Sequence, residues 1–94
     1  MNPELKAKWV AALRSGKFQQ GRGQLRKGDE YCCLGVLCKV ARIPISESGG
    51  SAGKSGYKLI HRRVPEQAAE TLWRMNDHRG LNFAQIADWI EANL

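Results

Sequence analysis

The sequence predicts a small α+β domain, mainly helical with about four helices and a short antiparallel β-ribbon, and three observations carry that prediction. Apolar residues recur at helical spacing in four stretches, each bracketed by a start or stop signal. Between the first two stretches lie Gly16, Gly21, Gly23 and Gly28, a density of glycine that interrupts helix and favours turns. With 94 residues, 43% of them apolar and three of them tryptophan, the chain can build one core but not two, so residues 1–94 read as a single domain.

In the first helix Asn2 can act as the cap, Pro3 suits the first helical position, and Gly16 follows the last periodic residue. Leu5, Trp9, Ala12 and Leu13 form its apolar face, which makes Trp9 a core anchor rather than a ligand platform. The following segment, GKFQQGRGQLRKGDEY, reads as a loop leading into an antiparallel ribbon. Lys27, Gly28 and Asp29 fall at its turn, and Tyr31 and Cys33 on the returning strand. A two-stranded ribbon is marginal alone and has to lean on the helices.

From Cys33 onward, Cys33, Leu34, Leu37, Cys38 and Ala41 step along one helical face until Pro44 ends the run. This stretch is almost wholly apolar and should be the most buried part of the chain, with Gly35 allowing a close approach by a neighbouring element. Residues 46–56, SESGGSAGKSG, read as a flexible Gly/Ser loop, and YKLIHRRV after them as a short strand. Pro65 opens the next helix at its first position, with Ala68, Leu72 and Met75 inward. The last helix begins at Asn82, with Gln85 three residues on as a capping box and Leu81 able to staple against Ile86. Its inner face is Phe83, Ile86, Ala87, Ile90 and Leu94.

The net charge of +6 is unevenly spread. Residues 1–63 hold thirteen Lys and Arg against four acids, whereas residues 64–94 hold two against five. A basic body with an acidic C-terminal part favours anionic ligands on one side. There is no run of about 18 apolar residues for a membrane span and no signal-peptide core. Cys32, Cys33 and Cys38, an odd number within seven residues, suit thiols in a reducing compartment better than a disulfide framework. The expected location is the cytosol, without membrane contact.

Four chemical motifs are weak. Gly53-Lys54-Ser55 resembles a phosphate-cradling loop, but Ser48 stands where that loop needs glycine and no helix start follows. The three cysteines with His61 or His78 lack the paired spacing of a zinc knuckle, so no metal is expected. In an apolar run their thiols are poor nucleophiles. Glu66 and Glu70 share a helix face, as exposed acids commonly do. The reading is therefore non-enzymatic, with no catalytic residue and no cofactor; a small nucleotide-acting enzyme using His61 or His78 as acid/base is the rival from that class.

Lys17, Gln20, Arg22, Gln24 and Arg26 combine cations, amide side chains and glycine-freed backbone N–H groups, and Arg62 and Arg63 can extend the same surface. Arginine presents a bidentate fork to phosphate and stacks on bases, while glutamines can read polar base edges. The expected ligand is a nucleotide or nucleic acid. No helix carries Arg, Asn and Gln along one face in the manner of a major-groove reader. Trp73 and Trp89 fall beside their helices' apolar stripes, which leaves direct binding of a host protein as the alternative. Self-association is compatible with either.

The strings WVAALRSGKFQQGRGQLR (residues 9–26), YCCLGVLC (31–38) and LNFAQIADWIE (81–91) resemble a group of small, uncharacterised proteins of tailed phages and prophages. The resemblance covers residues 9–43 well and 81–91 moderately. It implies context rather than chemistry: small phage proteins of this kind often act on host machinery, including antiviral defence, which here means a host-defence antagonist in the bacterial cytosol. The positive charge argues against an acidic mimic of DNA.

Overall fold

A computed structural model describes residues 1–45 and 58–94 of the chain, so the Gly/Ser segment at 46–56 lies outside the described residues. Helix α1 spans Pro3–Arg14. Asn2 caps it by accepting a hydrogen bond from the Leu5 amide at 3.0 Å. Its buried stripe is Trp9, Val10 and Leu13, with Leu5 and Ala12 at the margin. Gly16, just past the helix, takes a φ of 74° that L-residues rarely adopt.

Three two-residue strands follow: β1 (Gln19–Gln20), β2 (Arg26–Lys27) and β3 (Glu30–Tyr31). The β2–β3 hairpin turns at Gly28 and Asp29, and Gly28 supplies the positive φ of 60° for a two-residue loop. The expected ribbon is nonetheless only part of a mixed sheet of order β1-β3-β2, in which β1 runs parallel to β3 with Gln19 opposite Glu30 and Gln20 opposite Tyr31. The glycine-rich segment carries the chain from one edge of β3 to the other before the hairpin, so β1 and β3 share a direction. Cys33 does not lie on the returning strand. It is the first residue of α2 (Cys33–Ala41), which Cys32 caps through its sulfur, accepting from the Gly35 amide at 3.4 Å.

Residues 58–61 form helix α3 in its described part, where a strand was expected. Ile60 and Val64 are both fully buried at i, i+4 spacing, and Val64 N–H donates to the Ile60 carbonyl at 2.9 Å. Burying both side chains on one helical face prevails over the short alternation that suggests a strand. Helix α4 spans Glu66–Asp77, with Pro65 one step earlier than expected, at the cap. Helix α5 spans Phe83–Asn93 and starts with the expected capping box: the Gln85 amide donates to Asn82 Oδ1 at 2.8 Å, and the Asn82 amide to Gln85 Oε1 at 3.0 Å.

The four longer helices close a ring, α1 on α2, α2 on α4, α4 on α5 and α5 on α1. Their inner faces form one hydrophobic cluster, with α2 buried from Cys33 through Cys38. Trp9 is fully buried there and donates its indole N–H to the Cys33 carbonyl at 2.9 Å, joining α1 to the start of α2. The sheet packs on α2 through β3. A Cβ at Gly35 would overlap the Leu25 carbonyl, and this close approach of α2 to the segment before β2 is what glycine permits there.

Candidate anion-binding surface

The seven sequence-predicted residues divide into three settings. Lys17, Arg22 and Gln24 are exposed on the segment around the sheet. Gln20 is drawn into the fold: its Nε2 donates to Asn76 Oδ1 at 2.9 Å and to the Leu81 carbonyl at 2.8 Å, which uses both amide hydrogens. Arg26, Arg62 and Arg63 line grooves on either side of the last turn of α2.

The first groove, about 410 Å³, runs between the start of α1 and the end of α2. Lys8, Arg62 and Arg63 line it together with Val40 and Ala41, and Glu4 is the acid among its described lining residues. Arg63 is steadied by donating from its guanidinium to the Leu59 carbonyl at 2.9 Å. The second groove, about 320 Å³, has Arg26, Lys39 and Arg42 around Ile43, Pro44 and Ile45, with no carboxylate among the described residues that line it. Arg26 is held on the sheet by a 2.8 Å hydrogen bond from Nε to the Gly28 carbonyl, and its guanidinium lies 5.3 Å from the centre of the Tyr31 ring. Phe18 meets the same ring edge-on at 5.3 Å.

Residues 39–42 contribute to both grooves, because consecutive positions on a helical turn point in different directions. Arg42 ends α2 in the left-handed conformation, with φ 59°. Lys39 and Arg42 also complement the negative end of the α2 dipole, which accounts for two cations at this place. Lys8, Arg26, Arg62 and Arg63 lie outside that explanation. Sequence reading passed over Lys8, Lys39 and Arg42 because they are isolated cations on helices. Only the packing of α1, α2 and the segment after α3 gathers them.

The cysteines are sealed off. Cys32 and Cys33 are buried, and desolvation pushes the Cys32 thiol up to about 11 and the Cys33 thiol well above its ordinary value. Burial likewise raises Cys38 to about 12, with the nearby Arg63 charge opposing the rise. Such thiols stay protonated and unreactive near neutrality. Cys33 Sγ instead contacts the Leu72 carbonyl at 3.5 Å as a weak donor. Among the described residues no group of three or more His, Cys, Asp or Glu is placed to hold a metal ion, and no helix is long and apolar enough to cross a membrane.

The arrangement defines a class: a small α+β domain, helical in the main, that presents two open basic grooves around one helix end. The chain belongs to the family described as a domain of unknown function (DUF8296), whose model matches residues 1–49, just over half its length. That match takes in α1, the sheet and α2, and therefore both the predicted loop and the helix end between the grooves. No curated protein and no solved structure matches the chain.

Proposed function

We propose that this protein is a non-enzymatic accessory protein that binds a phosphate-bearing ligand, a nucleic acid or a nucleotide-derived signal, on the surface around the end of α2. The observation that carries the reading is the gathering of Lys8, Arg26, Lys39, Arg42, Arg62 and Arg63 in two adjacent grooves whose linings contain one acid, Glu4, among the described residues. Grooves of this size fall within the roughly 300–1,000 Å³ of ligand sites, and both are open, which suits an extended chain of phosphates. Exposed Lys17, Arg22 and Gln24 would add outlying contacts, whereas Gln20 supports the loop from beneath. The buried, protonated thiols favour binding over covalent chemistry.

The resemblance of residues 9–43 and 81–91 to small phage and prophage proteins supports a role against a host process such as antiviral defence, exerted in the bacterial cytosol. The test is to purify the protein at moderate salt, denature it and identify what is released by mass spectrometry. A stoichiometric nucleotide marks a small-ligand binder; heterogeneous nucleic-acid fragments, lost steeply with salt, mark backbone binding. Release of neither, with no binding of either class on add-back, contradicts the proposal.

A further inference from the structure

A cleft of opposite character lies between α3 and α4. Trp73 is the large apolar side chain left exposed among the described residues, 37% accessible, on the α4 face that also carries Glu66, Ala69 and Glu70. Beside it the cleft has an apolar floor of Leu34 and Ile60, and Glu66, Glu70 and His61 at its edges. Among the described residues no Lys or Arg lines it, although the chain carries a net +6. Its volume, about 220 Å³, is below the roughly 300–1,000 Å³ of small-molecule sites, so it is sized for a single side chain rather than a nucleotide.

The chain's own Arg74 demonstrates the recognition available here. Its guanidinium donates to Glu70 at 2.7 Å and sits 6.0 Å from the centre of the Trp73 ring. Both partners of that ion pair are more than half exposed, so the pair opens at little cost. His78 meets the Trp73 ring edge-on at 5.2 Å.

We infer that this cleft is a docking site for an arginine side chain presented by a partner polypeptide. The floor of Leu34 and Ile60 takes the methylene stem, the face of Trp73 takes the guanidinium plane, and Glu66 and Glu70 accept its N–H groups. Arginine fits better than lysine, because its planar fork can stack and donate at once. The site is separate from the basic grooves, so this inference does not depend on the anion-binding reading. A protein that binds a phosphate-bearing ligand in those grooves could hold a basic protein segment in this cleft.

The test is an NMR titration of the full ¹⁵N-labelled chain with the peptide Gly-Arg-Arg-Arg-Gly and its lysine counterpart. The expected result is a saturable shift of the Trp73 indole N–H and the 66–74 amides, with the lysine peptide about threefold weaker. Trp73→Leu, and separately Glu66→Gln with Glu70→Gln, should weaken binding about tenfold while the buried Trp9 indole signal keeps its position. Unchanged affinity in Trp73→Leu overturns the site. So do equal shifts at Asp88 and Glu91 on α5, which would reflect general attraction to acids. If the Trp73 signal moves with protein concentration alone, the occupant is a second copy of the chain and the assignment to a partner polypeptide fails.

Discussion

Removing the Asn76 side chain would strand several hydrogen-bonding groups at once. Fully buried, it accepts from Gln20 Nε2 and from the Cys33 amide at 3.2 Å, and donates to the Gly21 carbonyl and to Asp77 Oδ1, both at 2.8 Å. Asn76→Ala is expected to destabilise the fold by about 3 kcal/mol, read as a lowered urea midpoint with an unchanged slope. Nothing in the sequence marks Asn76 except a polar residue one step beyond Met75 on an inward face. Apart from the neighbouring Asp77, its partners Gln20, Gly21 and Cys33 lie more than forty residues away, out of reach of any local pattern. The same distance explains why Gln20, grouped by sequence with its basic neighbours, braces the core. The cysteines were legible as core residues from their apolar run, and their environment gives a pH prediction. The folded pKa values of Cys32 and Cys38 lie above the ordinary 9.0, so their contribution to stability is complete below about pH 9 and is lost as pH rises through about 11 to 12. Chemical unfolding at successive pH values checks this, and the native protein should react with a thiol reagent at pH 7.5 far more slowly than the unfolded chain.

Helix ends were the most legible elements, because a cap is a local event. Asn2 with Pro3, and Asn82 with Gln85, predicted the starts of α1 and α5 and are found there. Asn82→Ala should cost about 1 kcal/mol, measured by thermal or urea unfolding. Gly35 was legible as a close-approach position; its partner, the Leu25 carbonyl, was not. Gly35→Ala is expected to cost about 3 kcal/mol or more, because backbone on both sides must yield, and a large loss of melting temperature would show it. The strand expected before Pro65 failed because a four-residue burial spacing, Ile60 to Val64, can be satisfied only once α2 and α4 supply a surface for it. The sheet was half legible: the β2–β3 hairpin carries its turn chemistry in Gly28, whereas β1 joins β3 through pairing that no motif announces.

Across the whole molecule, charge is sorted by position rather than by composition alone. The excess of cations over residues 1–63 was evident in the sequence, but not that six of them would meet around one helix end, since they come from α1, β2, α2 and the segment after α3. The acidic C-terminal part is likewise divided by packing. Asp88 and Glu91 on α5 pair with Arg14 of α1, at 2.5 and 2.7 Å, while Glu66 and Glu70 flank the Trp73 cleft. The basic grooves and the aromatic, acid-edged cleft thus have linings with no residue in common. The central claim is that the grooves, and not the glycine-rich loop alone, bind phosphate. It is tested most directly by the salt dependence of binding to a fluorescent 20-nucleotide single strand, for the wild type and for two double variants, Lys39→Glu with Arg62→Glu and Lys17→Glu with Arg22→Glu. If about four phosphates are engaged, log K should fall with log salt at a slope of about −3, single strands giving roughly −0.7 per contact. The groove variant should lose at least about tenfold in affinity and shed part of that slope, while the loop variant loses less. A groove variant that binds like the wild type, in a protein of unchanged stability, would contradict the account.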